Sequence, residues 1–333
     1  MKRGSIDISA IKRGASDVSN IYIGGTNVWG GGGGGGFSGL LDTYTGAAAA
    51  YSLRKLSSSY TGSAIEVRRA SDNATQDIGF VDGELDTSTL ATFCSGTNGF
   101  VTTWYDQSGN GNDATQTTAS NQPKIYDSVS GVVQENGEAA IQFDGSDDAF
   151  IVWNNTTAPT LFQDMSDAIT LLSVEKASVI SGSSFNHYNN HTIAEIRVNN
   201  NTNAHVPFSI GYTNDESGFG VTDNYTSGAE IEFSNTLSVA QRLTSRYING
   251  DDLDVYINNS SVISTTFTIA TGDRSVSTGN STLSIGVRSR DGGQTDANYF
   301  TGTMQEIVLY KSNLLNDNNG INTNINDFYS IYP

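Results

Sequence analysis

The stretch Arg246-Tyr247-Ile248-Asn249-Gly250-Asp251-Asp252-Leu253-Asp254-Val255-Tyr256-Ile257 decides the fold class. Apolar and polar residues alternate after the Asn-Gly pair, the period of a half-buried strand. Asn-Gly between two such runs is the strongest short hairpin signal, because both turn positions favour a positive φ. A hairpin is therefore predicted at 246–257. The same pattern recurs along the chain at Ile65–Arg68, Phe100–Tyr105, Ala140–Phe143 (leading into Asp144-Gly145), Ile169–Glu175, Leu283–Val287 and Met304–Tyr310. Many short strands separated by polar turns predict an all-β sandwich. Two segments read as helix: Ala47–Leu56, built from alanine, leucine, arginine and lysine, and the closing segment with Ile321, Ile325, Phe328 and Tyr329 at helical spacing.

Composition agrees with that class. Of 333 residues, 36% are hydrophobic, a low share whose balance goes to Gly, Ser, Thr and Asn, the residues of turns. The net charge of −18 makes nucleic acid and anionic lipid poor partners. Charge is uneven: residues 1–30 hold Lys2, Arg3, Lys12 and Arg13 against Asp7 and Asp17, a net of +2, which leaves −20 for the remainder. Cys94 is the single cysteine, so no intrachain disulfide forms and folding in a reducing cytosol is expected. No apolar run approaches a membrane span, and the first residues lack the apolar stretch of a secretory signal.

Organisation is legible at the N-terminus. Ile11–Val18 and Ile21–Val28 repeat at a period of ten, each as strand, glycine turn, strand. Hairpins this small need a partner, which predicts an attachment segment over 1–29, the alternative being an edge of the main domain. Gly30 to Gly36 form an unbroken glycine run, a flexible linker without the Gly-Lys-Ser/Thr of a phosphate loop. Residues 37–333 follow as one sandwich domain with short helices.

Three resemblances attach to particular residues. Tyr60-Thr61-Gly62, Val67–Thr75, Phe93-Cys94-Ser95-Gly96-Thr97 and Trp104-Tyr105-Asp106-Gln107-Ser108-Gly109-Asn110-Gly111-Asn112 resemble the N-terminal part of the fungal α-L-arabinofuranosidase B catalytic domain. That resemblance implies a concanavalin A-like sandwich. The order of elements from Phe143-Asp144-Gly145 through Tyr310 is similar to a laminin-G-like domain. The N-terminal repeat, with Tyr22-Ile23-Gly24-Gly25-Thr26-Asn27-Val28-Trp29, resembles the leading segment of phage tail and fibre proteins. The chain departs from the arabinofuranosidases in two places. Gly99 stands where they carry a second cysteine, and the second half shows no Gly-Asn-Ala-Glu-like segment or adjacent cysteines. No catalytic residue is carried over from that resemblance.

Several side chains offer chemistry. Glycoside hydrolysis needs two facing carboxyl groups, and Asp106 in the Trp-Tyr-Asp-Gln string is the foremost carboxylate, although an Asp beside Ser-Gly also bonds its own turn. Glu175 reads as an exposed residue at a strand end. Asp144, Asp147 and Asp148 are oxygen donors of the kind calcium takes, yet the Asp-Gly turn accounts for them without metal. His187, His191 and His205 read as surface histidines. Trp104 belongs to the core, whereas Trp153-Asn154 and Tyr188 read as loop residues suited to a sugar face.

The sequence thus predicts a concanavalin A-like/laminin-G-like jelly-roll β-sandwich with a small N-terminal β-hairpin attachment segment. Ligand contacts are expected at Trp153, Asn154, Tyr188 and Asp106, with no metal assigned and calcium kept as an alternative. The functional expectation is a non-enzymatic structural protein of a phage virion. It would be folded in the host cytoplasm, homo-oligomeric, attached to other virion proteins through residues 1–29, and either adhesive to host-surface glycans or stabilising to the particle. The alternative expectation is a virion-associated glycosidase resembling α-L-arabinofuranosidase.

Overall fold

A computed structural model describes residues 37–152, 168–178, 240–250, 252–266 and 299–333. It adds strand backbone within 11–30, 191–233 and 280–295. The chain divides into two compact units, Met1–Ser38 and Gly39–Pro333. In the first unit Ile11–Arg13 pairs antiparallel with Ser16–Val18, and Asn20–Ile23 with Thr26–Gly30. These are the hairpins that the ten-residue repeat predicts.

The second unit is an antiparallel β-sandwich of jelly-roll type. Its first half supplies β1 (Ala47–Ser52), β2 (Ile65–Arg69), β3 (Gly99–Trp104), β4 (Lys124–Asp127) and β5 (Ile141–Asp144). Its second half supplies β6 (Ala168–Ala177), β7 (Arg242–Asn249), β8 (Asp252–Ile257), β9 (Ser260–Thr266), β10 (Asn280–Ile285), β11 (Thr301–Tyr310) and helix α1 (Asn318–Tyr329). One layer runs β9-β8-β7-β6-β11-β1. The start of β11 also pairs with β5, which leads through β4 and β3 to β2. From β3 the ladder continues through Ala114-Thr115 and Phe150-Ile151 to β10 and the strands between His191 and Phe233.

Strand parity explains which side chains are buried. The inner face carries Tyr51, Ile141, Phe143, Leu171, Ile248, Val255 and Ile307, packed with Trp104 and Phe150. The outer face of β6, β7 and β11 carries Leu172, Val174, Leu243 and Val308, which receive Ile321, Ile325 and Tyr329 of α1. Covered on both faces, β6 is buried along most of its length, as its near-continuous apolar run requires. Each large side chain so enclosed contributes about 1.5–3 kcal/mol. The Asn-Gly hairpin is present, with Ile248 opposite Leu253 and Gly250 at φ +61. Helix α1 falls where its spacing places it. It is also latched by polar groups: Asn259 Oδ1 accepts from the Asn318 and Asn322 amides, and the Tyr247 hydroxyl donates to Asn318.

Two expectations are corrected. Ala47–Ser52 is strand β1 rather than helix, and all six residues are buried. Pairing with β11 and burial on both faces outweigh an alanine preference of a few tenths of a kcal/mol per residue. Alanine's small side chain suits a strand crossed by a helix. Glu175 is no exposed edge residue. It lies on β6, flanked by β7 and β11, and is 1% exposed.

Candidate functional site: the buried carboxylates

Among the described residues four carboxylates are buried: Asp106, Asp148, Glu175 and Glu306. Burying a charge is costly unless donors or a counter-ion compensate it, so each one needs an account.

Asp106 sits in the Trp-Tyr-Asp-Gln-Ser-Gly-Asn-Gly-Asn loop that follows β3. Its Oδ1 accepts from the backbone N–H of Ala50 and of Ser108 at 2.8 and 2.9 Å. Its Oδ2 accepts from the Ser108 hydroxyl and the Asn112 N–H at 2.7 and 3.0 Å. Four donors fill the carboxylate, so Asp106 organises the turn and offers no oxygen to a ligand. The rest of the loop does the same for β1, whose other edge is paired to β11. The Gln107 side-chain amide donates to the Ser52 and Arg54 carbonyls, and its oxygen accepts from Leu56 N–H. The Asn110 amide donates to the carbonyls of Ala47 and Ala48, and that of Asn112 to Ala48. Side-chain amides thus stand in for a neighbouring strand and close an edge that would otherwise expose its backbone groups. The most family-specific string of the sequence is scaffold.

Glu306 lies on the outer face beneath α1. Its carboxylate takes two hydrogen bonds from Arg54, at 2.7 and 3.0 Å, and one from the Ser52 hydroxyl at 2.9 Å. The Tyr329 hydroxyl donates to it at 3.3 Å. Burial opposes the charge on Arg54, and Glu306 more than offsets it, so the guanidinium stays protonated. This pair also belongs to the scaffold. Its sequence signal is a glutamate directly before the apolar run Ile307-Val308-Leu309.

Asp148 differs. It accepts one backbone hydrogen bond, from Asp144 N–H at 2.9 Å. Oxygens of Asp144, Asp147 and Asp148 lie within 4.8 Å of one another. Desolvation pushes the Asp148 carboxyl up to about 7, and the charges of Asp144 and Asp147 act in the same direction. Asp144 bonds the N–H groups of Ser146 and Asp147, as the Asp-Gly turn predicts.

Glu175 faces the sandwich interior, where the inner side of β6 and β7 turns from apolar to polar. Ile169, Leu171 and Ile248 give way to Ser173, Glu175, Thr244, Arg246 and Arg242, each 5% exposed or less. The Thr244 hydroxyl donates to Glu175 at 2.9 Å, Arg246 donates to Ser173 at 3.1 Å, and Arg242 is directly opposite Glu175 in the ladder. The sequence reading missed this row because its β6 members lie 67 or more positions from its β7 members and only strand register aligns them.

Of the remaining expected site residues, Trp153, Asn154, Tyr188 and His187 lie outside the described residues, and the side chains of His191 and His205 are not described. Trp104 is fully buried in the core, as expected. The missing second cysteine has a structural counterpart. A Cβ placed on Gly99 would lie 2.5 Å from the Cys94 sulfur, so the two positions face each other at near-disulfide range. Burial pushes the Cys94 thiol up to about 11.

Comparison with known proteins gives this geometry its context. Residues 41–239, more than half of the chain, match the family Alpha-L-arabinofuranosidase B, catalytic. An alpha-L-arabinofuranosidase B of Emericella nidulans is 41% identical over 92 residues, which is 26% of this chain and 18% of that protein. The Penicillium canescens enzyme is 44% identical over 71 residues, 21% of this chain and 15% of that protein. Both matches therefore span less than a fifth of the relative's own length. An α-L-arabinofuranosidase structure soaked with a cyclic sulfate inhibitor superposes with a TM-score of 0.58 at 18% identity, covering 86% of this chain and 64% of that one. An arabinofuranosidase complexed with arabinofuranosyl-α-1,2-xylobiose gives 0.57 at 19%, with the same coverage. At these identities the superpositions establish the sandwich fold.

These findings overturn the virion reading. The matched family is a glycosidase catalytic domain, and the named relatives are fungal enzymes. The expectations of a phage structural protein, of a non-enzyme, of virion proteins as partners and of a place in a virion are set aside. They rested on the order of hairpins, glycine run and sandwich, and an order of parts carries no chemistry. The signature loop, the sandwich and the matched span agree: the chain belongs to the family of the α-L-arabinofuranosidase B catalytic domain.

Proposed function

We propose that the Gly39–Pro333 unit hydrolyses terminal α-L-arabinofuranosides. The observation that carries this reading is the family match over residues 41–239. Hydrolysis of a glycosidic bond needs two carboxyl groups on opposite sides of it, roughly 5–10 Å apart. Asp106 and Glu306 are committed to the scaffold by their donors. Glu175 and Asp148 are then the described buried carboxylates to test. Asp148 has the protonation of a general acid near neutral pH, since desolvation holds it at about 7.

The test is release of 4-nitrophenol from 4-nitrophenyl α-L-arabinofuranoside by the full chain. Turnover by the wild type, with a loss of about 100-fold or more in Asp148→Asn or Glu175→Gln, supports the reading and assigns the residue. Turnover that survives both substitutions moves the catalytic pair to other carboxylates of the chain. No turnover by folded wild-type protein on this or other α-L-arabinofuranosides refutes the activity.

A further inference from the structure

We propose that Tyr60, Phe80 and Tyr105 form a surface platform for a neutral saccharide, apart from the buried carboxylates considered above. All three residues are partly exposed. Tyr60 and Phe80 meet edge to face with centroids 6.3 Å apart. The Tyr60 ring is folded over Gly62, where an added Cβ would lie 2.6 Å from the phenol oxygen, and its hydroxyl donates to the Ser63 carbonyl at 2.8 Å. A side chain pinned in this way has little rotamer freedom left to lose on binding. Tyr105 is held too: its hydroxyl donates to Asp77 at 2.8 Å, and its backbone N–H to the Ala64 carbonyl.

The two tyrosines share their surroundings. Asp77 and Asp113 act on both phenols, joined by Asp106 at Tyr60 and by Glu66 at Tyr105. Burial is the larger cause in each case, and it pushes the Tyr60 phenol up to about 12 and the Tyr105 phenol higher still. Both hydroxyls therefore stay neutral at physiological pH. Asp77, Asp113, Asp106 and Glu66, the charges named at the pair, are all carboxylates, and they repel an anionic ligand. A hydroxyl-rich neutral ligand suits the surface. Carboxylates accept hydroxyl hydrogens, and aromatic side chains offer an apolar body with a polar tip. Tyr60-Thr61-Gly62 is also one of the strings that carry the family resemblance.

The test is native affinity electrophoresis of the full chain in gels containing neutral arabinoxylan or, in parallel, polygalacturonate. The expected result is retardation by arabinoxylan alone, with Tyr60→Ala and Tyr105→Ala each weakening it about tenfold. Tyr60→Phe, which keeps the ring, should stay within about threefold of wild type. Thermal melting identifies variants that have unfolded; if Tyr60→Ala is among them, Tyr105→Ala decides. Folded alanine variants that bind like wild type overturn the platform. So do equal retardation by polygalacturonate and absence of wild-type retardation by arabinoxylan. The readout is binding, so a chain that releases no pentose still answers the question, and the proposed hydrolysis stands or falls separately.

Discussion

Asp106 and Asp148 look alike in the sequence and behave differently in the fold. Each lies in a turn rich in Gly, Ser and Asp, and they are 5% and 6% exposed. Asp106 accepts four hydrogen bonds, three of them from backbone N–H groups. Among the described residues Asp148 accepts one, and two further carboxylates lie close by. Donor supply, rather than depth, separates a carboxylate that builds the scaffold from one with oxygens to spare. Glu306 falls on the Asp106 side of this division, with Arg54 replacing the backbone donors.

The contrast breaks first at Asp106. Asp106→Ala strands several buried donors and should destabilise the chain by about 4 kcal/mol, measured by urea unfolding. A loss under about 1 kcal/mol would erase the distinction. Arg54→Ala comes next, at about 3 kcal/mol, because it leaves Glu306 buried without its counter-ion. Gly99→Cys tests the scaffold side from the opposite direction. Under oxidising conditions a bond to Cys94 should form and add about 2 kcal/mol, the chain-entropy value for so short a loop. Tyr126 Cβ and Val67 Cγ1, at 3.1 and 3.2 Å from the new Cβ, must yield slightly.

Asp148→Asn is read as a slope with pH rather than as a single loss, and it is the sharpest in sign. The folded-state value of about 7 lies above the ordinary 3.8, so the native state holds an extra proton between them. Wild-type stability then falls as pH rises through that window. The variant has no such slope: its melting temperature, relative to wild type, should climb from pH 4 to pH 8 and level off above. A flat difference would mean that the Asp148 carboxyl is not raised in the folded chain.

The sequence showed the strands, the 246–257 hairpin and α1 because each announces itself within about a dozen residues. Asp106 as a turn-bonding residue was readable for the same reason, since its Ser108 partner is two positions away. Strand β1 was not readable locally: its alanines favour helix, and only β11 and α1, more than 250 residues on, make it a strand. Glu175 failed for a related cause. Its partner Thr244 is 69 positions away, and nothing within a strand's length separates an edge glutamate from one enclosed between two neighbours. The functional misreading came from the opposite habit, in which a conspicuous N-terminus was weighed above the loop at 104–112.

The pairing of β1 with β11 also sets a timetable for synthesis. Ser52 and Glu306, joined by a hydrogen bond, are 254 positions apart. The layer's first strand emerges early and waits for its partner until nearly all of the second unit has left the ribosome. Meanwhile the amide-rich loop at 104–112 is available to occupy one side of it. Closure of so distant a pair is slow, because the chain between must be ordered before the contact is rewarded. Refolding of the unit should therefore be limited by the return of residues 301–329, and a nascent chain stalled before Thr301 should present β1 to chaperones rather than to a sheet.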